Sequence, residues 1–379
     1  MIERLNTDWA MQYFCGIQLK ECEGIKDSGL VSRVRQFLAE HVGIEDVQRI
    51  LIKNWKDEME NVHALLSDAT AYESYIKFPT DVKLLWDCVY WVYQAIFAIS
   101  GELRIKRPRS RFTEQERKQL SYSRCRKKTY KMTATRKRAL LYLLKKGLGQ
   151  LKDILDNHKQ ETSLNEKQTI RLIYIKEIYG QQKYMYDNHV NIVSNRIVSL
   201  FKPYIRPIVR GKENKKVEFG AKVNKSMVDG ISLIDRLSFD AFNEALELKS
   251  SIRLHNQRFG QCKQVGVDAI YGTNANRTYM KAKKIFHSLV RKGKASKYEK
   301  HEKLLRSQLG KERSTVLEGS FGNEKNHYGL NKVKARTEAT EIIWILFGIM
   351  TANAVKISKR RAKKAPPQGK VPLQLEIAA

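Results

Sequence analysis

The feature that most constrains the fold of this chain is the long segment between Pro79 and Pro203. No alternating apolar and polar run occurs there, and apolar residues recur at helical spacing, as in Leu84, Leu85, Val89 and Val92 and again in Leu140, Leu141, Leu144 and Leu148. Strand character lies only on either side of it. Residues 62–70 form a short apolar run without helical period, which predicts a buried strand ending at Asp68. Residues 216–223 and 230–237 predict a hairpin turning at Met227-Val-Asp-Gly. A helix is expected over 241–259, a short strand carrying Asp268 over 264–271, and helices from about Asn274, over 299–309 and from Thr337 onward. Any sheet must therefore be assembled from pieces that the helical block separates. An α/β fold with helices packed on a sheet follows.

Domain boundaries follow from the same map. Residues 1–60 are expected to be a short helical region, 61–80 together with 204–355 the sheet-bearing core, 81–203 the helical insertion after the first strand, and 356–379 a basic, disordered tail.

The chain of 379 residues carries a formal net charge of +31, far more than solubility needs, which points to a polyanionic partner. The charge is segregated. Residues 1–100 hold 10 basic against 15 acidic side chains, whereas residues 101–160 hold 19 against 5. In that second segment Arg107, Arg109 and Arg111, then Arg126, Lys127 and Lys128, then Arg136, Lys137 and Arg138 form three clusters, interleaved with Phe112, Tyr122 and Tyr130. Cations neutralise phosphates and aromatic rings pack on sugars or exposed bases, so this block is expected to bind DNA.

Other function classes are disfavoured. The longest apolar stretch, 342–355, falls short of the ~20 residues that span a bilayer, so no membrane partner is expected. The N-terminus has neither a basic nor an apolar signal region. Five scattered cysteines without a C-x-x-C pair exclude zinc ribbons and fit free thiols in a reducing, cytoplasmic compartment.

Cutting a phosphodiester calls for charge neutralisation by metal ions, which take hard carboxylate ligands. Asp68 and Asp268 each close an expected apolar strand. A third acid, Glu318, stands seven residues before Lys325, on the same face of an expected helix with Phe321 between them. An Asp at a strand end is also a common turn or cap residue. His63, Glu73, Asp81 and Asp229 read as ordinary core, surface or turn groups, and Asn274 and Asn276 as helix caps.

The segments Ser67-Asp-Ala-Thr-Ala-Tyr-Glu-Ser-Tyr-Ile-Lys-Phe-Pro-Thr-Asp81, Val267-Asp-Ala-Ile-Tyr-Gly-Thr-Asn-Ala-Asn276 and Leu317-Glu-Gly-Ser-Phe-Gly-Asn-Glu-Lys325 together resemble those of the bacterial insertion-sequence DDE transposases. The resemblance runs over nearly the whole chain. It implies a ribonuclease-H-like core in which Asp68, Asp268 and Glu318 are catalytic and hold two Mg²⁺ ions, with Mn²⁺ as a substitute. It also implies cleavage at transposon ends followed by strand transfer to target DNA. Lys325 and Arg313 would contact DNA, although Arg313-x4-Glu318 has one residue more than the family's Arg-x3-Glu. Double-stranded DNA is the implied partner, a homodimer on DNA the implied assembly, and the nucleoid the implied location. Residues 8–16 resemble the end of the family's N-terminal DNA-binding region, here expected to be shortened. A transposase-derived DNA-binding protein without catalysis, or an N-terminally truncated one, is the alternative.

Overall fold

The computed structural model describes residues 2–20, 22–209, 217–295 and 297–364. The chain divides into two compact units, Met1–Tyr75 with Ala221–Ala379, and Ile76–Gly220.

The first unit begins with four short helices, α1 (Ile2–Thr7), α2 (Trp9–Phe14), α3 (Leu30–His41) and α4 (Ile44–Trp55), and the strand β1 (Ala64–Glu73). The second unit contains α5 (Asp81–Glu102), α6 (Phe112–Arg124), α7 (Tyr130–Asn157), α8 (Glu166–Asp187) and the short strand β2 (Pro207–Val209). After it come β3 (Val217–Val228), β4 (Ile231–Ser238), α9 (Glu244–Phe259), β5 (Gln264–Gly266), α10 (Asn274–Ala282) and β6 (Phe286–His287). The first unit closes with α11 (Glu299–Glu312), a π-helical turn (Arg313–Leu317), α12 (Glu318–His327) and α13 (Glu338–Lys364).

The protein is mixed α/β. The sheet order is β2-β3-β1-β5-β6, with β4 also paired to β3. β3 and β4 form an antiparallel hairpin over Asp229-Gly230, whose φ angles of 48° and 77° suit the type I′ turn that such a two-residue loop requires. β1 and β5 are parallel, with Ala64 opposite Gln264 and Leu66 opposite Gly266. A Cβ on Gly266 would lie 2.5 Å from Leu66 Cδ2 and 3.2 Å from the Leu309 carbonyl oxygen, so only glycine lets α11 approach this strand.

The outer strand β4 is closed off by side chains. Gln48 accepts from the Ile234 amide at 2.6 Å and donates to its carbonyl at 3.0 Å, and Asn353 does the same for Ser232 at 2.9 and 2.7 Å. Two side-chain amides thus imitate a neighbouring strand at Ser232 and Ile234.

Several expectations need correction. The first strand does not end at Asp68 but continues to Glu73, placing Asp68 in its middle. The second is shorter than expected: β5 stops at Gly266, and Asp268 caps a 3₁₀ turn over Ala269–Tyr271. The helix that follows is capped by Thr273, while the Asn276 amide is buried, donating to the Ala245 and Tyr271 carbonyls. Residues 356–364, expected to be disordered, are the last turns of α13, held by Lys356 on the Gly230 carbonyl at 2.8 Å and Arg360 on Asp229 at 2.8 Å. The rest of that tail, and Lys216 of the expected hairpin, lie outside the described residues. By length and composition two helices, α5 and α13, could cross a membrane, more than the short 342–355 stretch suggests. Their apolar windows are 50% and 56% buried inside the protein. All five cysteines are free.

The second unit is a helical bundle. Leu85, Val89, Val92 and Ile96 of α5 pack with Leu140 and Leu144 of α7 and with Ile175 and Ile178 of α8. At its polar node Asp81, in the first turn of α5, pairs with Lys137 at 2.8 Å and Arg196 at 2.6 Å and accepts from Gln182 at 3.2 Å. Burial pushes the Asp81 carboxyl up, but these three partners outweigh it and hold it below its ordinary 3.8. A carboxylate so depressed stabilises the fold fully above pH 3.8 and loses that contribution as pH falls through its lower folded value. Asp81→Asn should therefore cost about 2 kcal/mol at neutral pH and flatten the acid limb of the stability curve, measured by chemical denaturation between pH 2 and 7.

Candidate acidic site on the sheet

Register places the first two acids side by side. Leu66 and Gly266 are partners across the parallel β1–β5 pair. Two residues on from each stand Asp68 and Asp268, and Asp268 keeps an extended backbone (φ −76°, ψ 165°). Side chains two apart on a strand share a face and parallel neighbours lie about 4.8 Å apart, so both carboxylates project from one side of the sheet.

Glu318 reaches this place through Arg313. The Glu318 amide donates to the Arg313 carbonyl, the i→i−5 bond of the π-helical turn. Arg313 Nη1 then lies 2.8 Å from Asp68 Oδ2 and 2.8 Å from Glu318 Oε1. The other Asp68 oxygen, Oδ1, accepts from the Ala69 amide at 2.8 Å. Asp68 and Arg313 are mostly buried, Glu318 is half exposed and Asp268 is exposed. Burial raises the Asp68 pKa, the Ala69 amide and Arg313 oppose the rise, and the negative charges of Glu244 and Asp268 add to it. Glu244 is an acid that no motif marks. It sits in the first turn of α9, paired with the mostly buried Lys222 at 2.8 Å. Its one signal was a pair of lysines, Lys222 and Lys225, inside an expected strand, where buried cations call for acidic partners.

The polar face of β1 continues past Asp68. Thr70 Oγ1 accepts from Lys325 at 3.2 Å, the Tyr72 hydroxyl donates to Glu324, and the Ser74 hydroxyl donates to Glu341 at 2.5 Å. Lys325 also lies 5.7 Å from the Tyr72 ring centroid. Behind them the fully buried Lys225 donates to Glu324 at 2.6 Å and to Ser320 at 2.8 Å, beneath the Phe321 ring. Burial lowers the Lys225 pKa and Glu324 pulls it partway back. These contacts fix the rotation and height of α12, and with them the positions of Glu318 and Lys325.

Among the described residues no three His, Cys, Asp or Glu side chains form a ready-made metal cage. Asp68 and Glu318 share a cation, Arg313, and Asp268 joins Asp68 through register and field. Elsewhere in this unit a cavity of about 420 Å³ is lined by Arg277, Lys281, Arg291, Lys292 and Arg306, with Arg291 and Arg306 tied to Glu299.

In the helical unit Arg107, Arg109, Arg111, Arg126, Lys127, Lys128 and Arg138 are exposed. Arg107 lies over the Phe97 ring at 4.8 Å. Arg136 and Lys137 leave the expected DNA-facing set. Arg136 is buried and donates to the Gln119 side chain at 2.8 Å and to the Gln115 side chain and carbonyl at 2.5 and 2.7 Å, and Lys137 serves Asp81. Phe112, expected as a stacking ring, is a core residue, while Tyr130 stands exposed.

No family model, no curated protein and no solved structure matches the chain.

Lys225→Met should leave Glu324 as a buried charge without its counter-ion and destabilise this unit by about 3–5 kcal/mol, with part of the loss recovered by adding Glu324→Gln. Guanidinium unfolding midpoints of the two variants test this.

Proposed function

We propose that the protein is a DDE transposase that cleaves DNA at the ends of an insertion sequence and joins the freed 3′ ends to target DNA. The single observation that carries this reading is the convergence of Asp68, Arg313 and Glu318 beside Asp268, from segments far apart in sequence. A mixed sheet with parallel β1 and β5 beside an antiparallel hairpin supports a ribonuclease-H-like core. The Glu318-x6-Lys325 helix lying against β1 supports it further.

The donor set is of the kind Mg²⁺ takes. Its ligands are hard carboxylate oxygens, and bound cations would offset the negative charges of Glu244 and Asp268, which add to the burial that raises the Asp68 pKa. Asp68, Asp268 and Glu318 would hold the ions. When bound, they supply activation of the attacking oxygen and stabilisation of the leaving one. The chain's own groups do the rest. Lys325, which donates to Thr70 beside the acidic cluster, would take a DNA phosphate. The exposed cations of residues 107–138 and the cavity of Arg277, Lys281 and Lys292 give the duplex backbone further counter-charges. Such chemistry joins paired ends, so a homodimer on DNA is part of the proposal, as is action on the bacterial nucleoid in the cytoplasm.

Asp268→Asn should abolish Mg²⁺-dependent cleavage while leaving DNA affinity within about twofold, because Asp268 is exposed and supports no packing. Cleavage and strand-transfer assays on labelled end sequences check it. A parent protein that binds DNA but never cuts it would favour a transposase-derived binding protein. One that nicks without joining would favour a general nuclease.

Replacing Arg107, Arg109 and Arg111 by Ala should weaken DNA binding and reduce the slope of log K against log salt by about 1–3. An unchanged slope in salt-titrated binding would remove this segment from the DNA interface.

A further inference from the structure

Arg313 uses one nitrogen, Nη1, for both Asp68 Oδ2 and Glu318 Oε1, at 2.8 Å each. Asp68 Oδ1 accepts from the Ala69 amide, and Arg313 holds the other oxygen, Oδ2. The arrangement depends on the π-helical turn. Five residues apart on a regular α-helix point about 140° away from each other, and an Arg at that spacing would miss the Glu. The bond from the Glu318 amide to the Arg313 carbonyl widens the turn by one residue and brings the two side chains into line.

We infer, given the metal-dependent chemistry proposed for this site, that Arg313 is a tethered counter-ion that competes with divalent cations for the Asp68 and Glu318 oxygens. A metal ion bridging Asp68 Oδ2 and Glu318 Oε1 would take the position that Arg313 Nη1 holds between them. Divalent cations then bind only to the fraction of molecules in which Arg313 has swung away, and the apparent affinity falls by that fraction. The swing costs the chain one charge-assisted hydrogen bond, to Asp68, and one ion pair, to Glu318, which an arriving phosphate oxygen can replace. Metal loading is thereby tied to the presence of DNA, and the extra residue between Arg313 and Glu318 has a use: it sets the guanidinium between the carboxylates instead of beside them.

The test is Mn²⁺ binding to the full-length protein without DNA, followed by electron paramagnetic resonance of the free ion, so that no turnover is needed. Arg313→Ala should bind Mn²⁺ about tenfold more tightly than the parent. Arg313→Gln, of similar size and without charge, should show the same gain, and Arg313→Lys should lie between. Asp268→Asn, which removes a carboxylate that Arg313 does not touch, should weaken binding in both the parent and the Arg313→Ala background and so identifies the ions counted as those of this site. If the parent binds Mn²⁺ and the neutral variants bind it equally or more weakly, or if both neutral variants fail to fold, Arg313 is a structural strut and the inference is overturned while the metal assignment stands. If neither parent nor variants bind Mn²⁺ in a manner sensitive to Asp268→Asn, the metal assignment itself fails and the counter-ion role goes with it.

Discussion

A β-strand in the middle of a sheet has no room for unpartnered polar side chains, and β1 carries four of them on one face: Asp68, Thr70, Tyr72 and Ser74. Each finds its partner on the C-terminal helices, in Arg313, Lys325, Glu324 and Glu341. Burying such groups without partners costs several kcal/mol each, so the strand dictates where the 313–341 segment must lie. The acidic cluster is the upper end of this ladder. Its lower rungs, with the buried Lys225 beneath Glu324, supply the rigidity that holds Glu318 and Lys325 in place.

The same economy of charge separates the two units. In the sheet-bearing unit cations are spent inward, on Glu324, on Glu244 and on the Asp68–Glu318 pair. In the helical unit most of the basic clusters remain on the surface, and within the three clusters of residues 107–138 Arg136 and Lys137 turn inward, because α6 and α7 need a polar tie and Asp81 needs a counter-charge. A basic cluster in sequence is thus a mixture. Residues two apart on a helix face different ways, and Arg138 is exposed where Arg136 is buried.

The helical block and the hairpin were legible because their signals are local: apolar spacing for α5 and α7, and Asp-Gly between two apolar runs for the turn. The extent of β1 was not legible. Its hydropathy falls after Leu66, and only long-range partners explain why Thr70, Tyr72 and Ser74 remain in the strand. The β5 strand misled in the opposite direction, since Ile270 and Tyr271 sustain an apolar run after the backbone has already turned at the Asp268 cap. Glu244 and the Lys225–Glu324 pair carry no motif, and their importance comes only from burial.

By itself the sequence determined the class of elements, the break of the sheet by a helical insertion, the segregation of positive charge, and the three acids worth watching, because each depends on residues close along the chain. The tertiary structure alone decided that Asp68 and Asp268 share a face, which is a matter of strand register. It alone decided that Arg313 stands between Asp68 and Glu318, which is a matter of one π-helical turn. Register and helical phase are set by packing between distant segments, and no local pattern encodes them.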